Sequence, residues 1–363
     1  MLSAGLIGLP MAGKTTVFNL VTNAGIETSR FITGKSDINV SMADVPDRRV
    51  DFLSGLYRPK KTVRAQVKVS DVPGLVRGAS QGKGVGNAFL DGIRQADLLV
   101  HVVRAFDNPD VLHVDGSVNP VRDIETIDVE LLLADMDFVE KRIQRIEGGK
   151  KIKKESLEEL EIMKKILAGL EKEIPVVKQD LSQSERQVLV NYSFFTDKPI
   201  IFAVNTDENQ FRQGDYPGKG DLVALAGRRG TGLIEVCGLM EMEISQLPAE
   251  DRGLFMADLG LEELGAERMT RAVYEAMGLI SFFTVGEDEV KAWTIEKGTD
   301  ARRAAGKIHS DIERGFIRAE VVGYKDLTEQ ESMARVKEKG LARLEGKEYI
   351  VQDGDIINFR FNV

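Results

Sequence analysis

The sequence predicts an α/β chain in three parts. A domain with a mostly parallel sheet is interrupted by an antiparallel coiled-coil hairpin and followed by a small β-grasp domain. Three observations carry this reading. A glycine-rich loop at residues 8–15 stands between a short apolar run and a helix-like run, the order of a strand–loop–helix unit. Two heptad seams lie in the middle of the chain. After residue 278 the pattern becomes strand, strand, helix, strand. The expected extents are 1–128 with 196–277 for the first domain, 129–195 for the hairpin and 278–363 for the last.

Composition bounds what such a chain does. At 363 residues it exceeds one domain's usual size, and 42% hydrophobic with 29% charged residues is ordinary for a globular protein. A net charge of -9 argues against a basic nucleic-acid coat, so contact with RNA must use local patches and no reading of DNA sequence is expected. Cys237 is the one cysteine, which excludes an internal disulfide framework. His101, His113 and His309 are scattered, unlike a His-rich zinc site. No apolar run approaches the length of a membrane span, and no basic region precedes the first apolar residues. A cytoplasmic monomer is the expectation.

Within the first domain, Gly8-Leu9-Pro10-Met11-Ala12-Gly13-Lys14-Thr15 fits G-x-x-x-x-G-K-[ST]. The glycines let successive backbone N–H groups turn inward and cradle a polyphosphate. Lys14 offers a positive charge to the β- and γ-phosphates, and Thr15 a hydroxyl to Mg²⁺. Residues 29–40 follow, where P-loop switches carry a metal-closing threonine; Thr33 is the candidate. An ordinary loop threonine is the competing reading.

Residues 64–70 alternate like a rim strand and run into Asp71-Val72-Pro73-Gly74, the D-x-x-G of a switch NTPase. Asp71 is expected to hold Mg²⁺ through a water, and the Gly74 N–H to contact the γ-phosphate. Leu75 stands where a water-orienting glutamine stands in the Ras type. Leucine forms no hydrogen bond, so hydrolysis must recruit another group or run slowly. Residues 78–87 carry four glycines, as suits a loop that changes conformation.

Residues 96–104 read as a buried parallel strand, with His101 as a core histidine inside it. His113, in the loop 106–114, reads as the more accessible histidine. Residues 199–204 form the next strand and end in Asn205-Thr206-Asp207-Glu208. Guanine is usually read here by N-K-x-D. With Thr206 in place of the lysine and Glu208 one methylene longer than aspartate, guanine preference is expected to weaken and adenine to be accepted. Residues 233–238 read as the last strand, with Cys237 and Gly238 offering backbone contacts to the base.

Leu132, Met136, Val139, Ile143 and Ile146 form one seam; Leu160, Met163, Leu167, Leu170 and Ile174 form the other. Between them Gly148-Gly149-Lys150-Lys151-Ile152-Lys153-Lys154 reads as a basic tip. It is either a solvated turn or a neutraliser of RNA phosphates. In the last part, residues 279–285 and 290–295 read as a hairpin, 299–314 as a helix, 318–322 as a strand, and 349–361 as a turn with a closing strand. No catalytic constellation is visible there, and a recognition module is expected.

Taken together, these motifs make the chain resemble the YchF / Obg-like ATPases of the TRAFAC class of P-loop switches. The resemblance rests on residues 8–16, on Asp71 to Ser80, on Gly84-Val85-Gly86-Asn87 and on Gly116-Ser117-Val118-Asn119-Pro120-Val121-Arg122-Asp123-Ile124-Glu125. It rests also on the N-x-x-E at Asn205 and on residues 349–363. It implies a G domain, a coiled-coil insertion and a C-terminal TGS domain. It implies Mg²⁺-dependent hydrolysis of ATP, often in preference to GTP, and association with the ribosome through its RNA or a ribosomal protein. His113 matches the family's loop histidine, and Leu75 its hydrophobic replacement of the glutamine. Lys14, Gly74 and His113 are thus the catalytic candidates. Pro10, Met11, Ala12, Gly13, Lys14, Thr15, Thr16, Asn205, Thr206, Glu208, Cys237 and Gly238 are the nucleotide-binding ones, and Thr15, Thr33 and Asp71 the metal ligands. Met11 and Thr15 depart from the family's usual Asn and Ser. A thioether is a poor ligand for a hard cation, so potassium activation is not expected. The alternative reading is a nucleotide-gated ribosome or RNA adaptor with negligible hydrolysis. A small-molecule kinase is disfavoured, since neither appended module offers an acceptor pocket.

Overall fold

A computed structural model describes residues 2–27, 38–75, 78, 86–149 and 154–362. Thr33, most of the glycine-rich loop 78–87 and the lysines 150, 151 and 153 lie outside the described residues. The chain divides into two compact units, 1–41 with 68–269 and 42–67 with 270–363.

The strands in chain order are β1 (Ser3–Ile7), β2 (Asn39–Asp44), β3 (Lys61–Val63), β4 (Gln66–Asp71), β5 (Leu98–Arg104), β6 (Ile200–Asn205) and β7 (Gly232–Val236). The first unit's sheet has the order β2-β4-β1-β5-β6-β7. The pairs β4–β1, β1–β5, β5–β6 and β6–β7 are parallel. All five residues of β1 and all seven of β5 are buried, as expected for parallel strands covered on both faces. This topology sends the ends of β1, β4 and β6 to one edge, where the loops that follow them meet.

Helix α1 (Lys14–Thr22) follows β1, α2 (Arg48–Tyr57) lies in the second unit, and α3 (Gly86–Arg94) precedes β5. After β5 come α4 (Pro120–Glu147) and α5 (Lys154–Leu170). The expected domain border at 128/129 falls inside α4, a single 28-residue helix. Its first half packs Ile127, Leu131 and Ala134 onto the sheet core with Ile7, Leu99 and Phe195. Its second half pairs Val139, Ile143 and Ile146 with Leu160, Met163, Ile166 and Leu170 of α5. Both seams therefore form, except that Ile174 lies beyond α5 and is 38% exposed. The hairpin is not self-sufficient: the returning chain closes it with Val176, Leu181, Leu189 and Phe194. Asp135 fastens that return by accepting the Phe195 amide (2.9 Å), the Thr196 amide (2.8 Å) and the Thr196 hydroxyl (2.8 Å).

The second unit adds β8 (Leu279–Val285), β9 (Glu289–Glu296), β10 (Phe316–Gly323), β11 (Arg343–Glu345) and β12 (Asp355–Phe361), in the sheet order β11-β10-β12-β8-β9-β3. The β8–β9 hairpin and the β10 strand match expectation. The helix expected over 299–314 is split into Ala301–Ile308 and Ser310–Arg314 by His309, whose backbone is extended (φ -162°) and whose side chain caps the second piece by accepting the Asp311 amide. Ala301, Ala304 and Ala305 bring the first piece against Phe282, Ile295, Val321 and Phe359. The segment 42–67, expected in the first domain, clusters with this unit, because β3 adds a parallel edge strand to β9.

Candidate nucleotide site

The phosphate loop is shaped by three backbone positions in the left-handed or adjacent region, Gly8 (φ 145°), Met11 (φ 63°) and Gly13 (φ 91°). Gly13 admits no side chain: a Cβ there would stand 2.2 Å from Asn205 Nδ2. Met11 holds its conformation without glycine's freedom, which costs on the order of 1 kcal/mol. Pro10 and Ala12 of the loop are buried, and α1 starts at Lys14 with no side-chain cap. The first amides of a helix have no partner within it, so those of Lys14, Thr15 and Thr16 are left for an outside acceptor, the arrangement that suits an anion.

Lys14 is 7% exposed and donates from Nζ to the carbonyls of Leu9 (2.9 Å) and Gly8 (3.2 Å). Burial pushes its ammonium down to about 8, against the opposing charge of Asp71. Thr15 Oγ1 donates to Asp71 Oδ2 at 2.8 Å. Burial raises the Asp71 carboxyl above its ordinary range, while the Thr15 hydroxyl, the Lys14 charge and the Asn39 side chain pull it back. Asp71 Oδ1 is buried without a hydrogen-bond donor among the described residues. A hydroxyl beside a buried carboxylate with one unsatisfied oxygen is the hard oxygen set that suits Mg²⁺. Gly74 packs on the phosphate loop so closely that a Cβ would lie 2.7 Å from Pro10 N, and the Leu75 amide donates to the Gly8 carbonyl at 3.2 Å. Leu75 itself is 1% exposed, in the core with Val72 and Phe89.

On the base side the structure redistributes the expected roles. Asn205 links two loops, donating from Nδ2 to the Ala12 carbonyl and accepting the Gly238 amide on Oδ1, each at 3.1 Å. Thr206 is 4% exposed and its hydroxyl donates to the Val236 carbonyl at 3.3 Å, so it is turned inward rather than laid over a base. The amides of Cys237 and Gly238, the residues expected to offer backbone contacts to the base, are engaged here by Glu241 Oε1 (3.1 Å) and Asn205 Oδ1 (3.1 Å) respectively. Cys237 is the N-cap of a helix beginning at Gly238, not the end of a strand. Burial pushes its thiol up to about 11, so it is an inert core group. Glu208 opens the helix Glu208–Gln213, is 57% exposed, and pairs with Arg212 at 2.9 Å.

His113 is not the accessible histidine that the loop suggested. Its side chain is 4% exposed and both ring nitrogens are engaged, Nε2 with Asp123 Oδ2 (2.8 Å) and Nδ1 with the Asp115 amide (3.1 Å). His101 is a core residue as expected, edge-on to Phe202, with its imidazolium disfavoured down to about 3 by burial. Sequence reasoning missed Glu241 and Asp123. Glu241 is 1% exposed and ties Cys237 to Ala266. Nothing local marks a buried glutamate on a helix, whereas Asp123 stands inside the N-P-V-R-D stretch already singled out.

Comparison with known proteins matches residues 3–142 to a family model described as a 50S ribosome-binding GTPase. Residues 279–362 match the YchF-GTPase C-terminal model, described as a protein of unknown function. The chain is 44% identical to the ribosome-binding ATPase YchF of Bacillus subtilis over 100% of both chains. The chain belongs to the YchF family. It is 42% identical to the Pasteurella multocida YchF, covering 99% of each. The solved structure of the Schizosaccharomyces pombe YchF GTPase superposes with a TM-score of 0.83 at 30% identity, covering 99% of this chain and 97% of that one. The fold is accordingly that of a YchF P-loop NTPase, with the parallel G-domain sheet and the C-terminal module that the motifs predicted.

Proposed function

We propose that this YchF-family chain is a Mg²⁺-dependent ATPase, with weaker activity on GTP, that works as a conformational switch on the ribosome in the cytoplasm. The observation that carries it is the Thr15–Asp71 pair beside Lys14 at the uncapped start of α1. The α1 amides and Lys14 bind and orient the phosphates. Thr15 and Asp71 would hold Mg²⁺, which supplies charge neutralisation across the β- and γ-phosphates when bound. Gly74, seated on Pro10, would offer its amide to the terminal phosphate. With Leu75 locked in the core, orientation of the attacking water falls to His113. Glu208 accepts less well than aspartate from a guanine edge, and Arg212 competes with that edge for its carboxylate, which favours adenine.

Calorimetric titration of ATP and GTP with Mg²⁺, in Na⁺ and in K⁺, tests this. Tighter ATP binding, no dependence on K⁺, and turnover abolished by Lys14→Ala are expected. Turnover that survives Lys14→Ala would refute it. The buried Leu75 and the engaged His113 favour a second reading, a nucleotide-gated adaptor on the ribosome or its RNA with incidental hydrolysis. Co-sedimentation with ribosomes that depends on ATP binding but not on turnover would select that one.

A further inference from the structure

His113 offers neither ring nitrogen to a substrate in this arrangement. Nδ1 accepts the Asp115 amide at 3.1 Å, which places the proton on Nε2, and Nε2 donates to Asp123 Oδ2 at 2.8 Å. The second Asp123 oxygen accepts Nε (3.1 Å) and Nη2 (2.8 Å) of Arg122. Arg122 also donates to the Ser117 hydroxyl at 3.0 Å and to the Ser117 carbonyl. The side chains of His113 and Asp123 are each 4% exposed.

Asp123 is a firm anchor. It lies in the first turn of α4, behind the Asn119 cap and Pro120. The far end of the loop is held separately: Arg104, 2% exposed, donates to the carbonyls of Phe106 (3.1 Å) and Val111 (2.8 Å). The next residue, Leu112, is 81% exposed. The loop is therefore pinned at both ends, and the His113–Asp123 bond pins its middle. A histidine that orders water sets one nitrogen on a carboxylate and leaves the other open. Here both are closed. A metal reading is weaker, although His113, Asp115 and Asp123 bring ligand atoms within 4.8 Å of one another. The Arg122 guanidinium lies 3.7 Å from Asp115 and 2.8 Å from Asp123, a fixed positive charge that a cation would have to meet.

We infer that Asp123 is a positioning residue that parks His113, and that hydrolysis draws on His113 only after the Nε2–Asp123 bond opens. The inference rests on the proposed part of His113 in hydrolysis. Asp123→Asn tests it. A carboxylate accepts from both sides, but an amide accepts from one. Whichever way the amide turns, its NH₂ faces either Nε2–H of His113 or Arg122. Losing one charge-assisted bond is expected to raise kcat for ATP roughly tenfold, with KM unchanged. Asp123→Ala should do the same, and neither change should raise kcat in a His113→Ala background.

His113→Ala alone should lower kcat; if it does not, the reading of His113 in hydrolysis fails, whatever Asp123 does. If His113→Ala lowers kcat but both Asp123 variants leave it unchanged or reduce it, the parking role is overturned. Nitrogen-15 histidine spectra of the full chain give a readout that folding losses do not mimic. The wild type should show the Nε2–H form of His113, with its hydrogen-bonded proton signal lost in Asp123→Ala. A proton resident on Nδ1 in the wild type would overturn the inference.

Discussion

Lys14 illustrates how a single buried charge sets the conditions for binding. Burial brings its ammonium down to about 8 while Asp71 resists. A polyphosphate at the α1 amides restores the charged form, so ATP binding near pH 8 should take up a fraction of a proton. The sign follows from a pKa that is low before binding and raised after it, and the uptake should vanish well below pH 7. Calorimetry in two buffers of different ionisation enthalpy measures it. Lys14→Arg, which stays charged throughout, should bind without uptake. Met11 is the other instructive residue. At φ 63° it occupies a conformation that asparagine tolerates better. Met11→Asn should therefore stabilise the chain by about 0.5–1 kcal/mol, read as a rise of about 1–2 °C in the melting midpoint.

Among the elements, α4 does the most joining, and Asp135 is where it fastens the returning chain. Its carboxyl is raised to about 6 by burial, despite the Thr196 and Phe195 amides and the Thr196 hydroxyl that favour its charged form. A folded value above the unfolded one means that the folded chain binds the extra proton. This contribution is full below about pH 4 and is lost as pH rises through about 6. The stability advantage of the wild type over Asp135→Asn should be larger at pH 4.5 than at pH 7, as measured by thermal midpoints. The heptad spacing made both arms of this hairpin readable from sequence, because burying a seam imposes a period on it. It did not reveal that α4 begins at Pro120, since its first half serves a sheet and shows a broader apolar face. The phosphate loop and Asp71 were legible for a similar reason: their chemistry demands particular residues at fixed spacing. The hydrogen bonds of Thr206, Cys237 and Gly238 were not legible in this way, because they depend on which backbone groups the fold brings within reach. No local pattern records that.

At the scale of the whole molecule, the second unit is assembled from two stretches far apart in the chain, 42–67 and 270–363. Strand β3 completes its sheet beside β9, and α2 lies in the same unit. The join has a visible fastener. Arg49, on the first turn of α2, pairs with its N-cap Asp47 (2.9 Å) and with Asp353 (2.7 Å), and its guanidinium lies 5.1 Å from the centre of the Phe283 ring. Asp353 in turn accepts the Ser281 amide at 2.9 Å, so one carboxylate serves α2 and β8 together. Hydrogen bonds to these two acids hold the Arg49 charge more firmly than usual, against the cost of its burial. The side chains of Arg49 and Asp353 are 26% and 48% exposed, which weakens the ion pair by solvent screening. Arg49→Ala should therefore cost about 1–2 kcal/mol, counting the lost stacking as well as the lost pair. The loss should fall on the second unit alone, since none of these partners belongs to the nucleotide site. Hydrogen exchange of the full-length variant should show faster exchange in β8, β9 and α2, with exchange in β1, β4 and β5 and the affinity for ATP unchanged. Equal acceleration in both units would show that they do not unfold separately, and no acceleration in α2 would show that Arg49 is not what joins the two stretches.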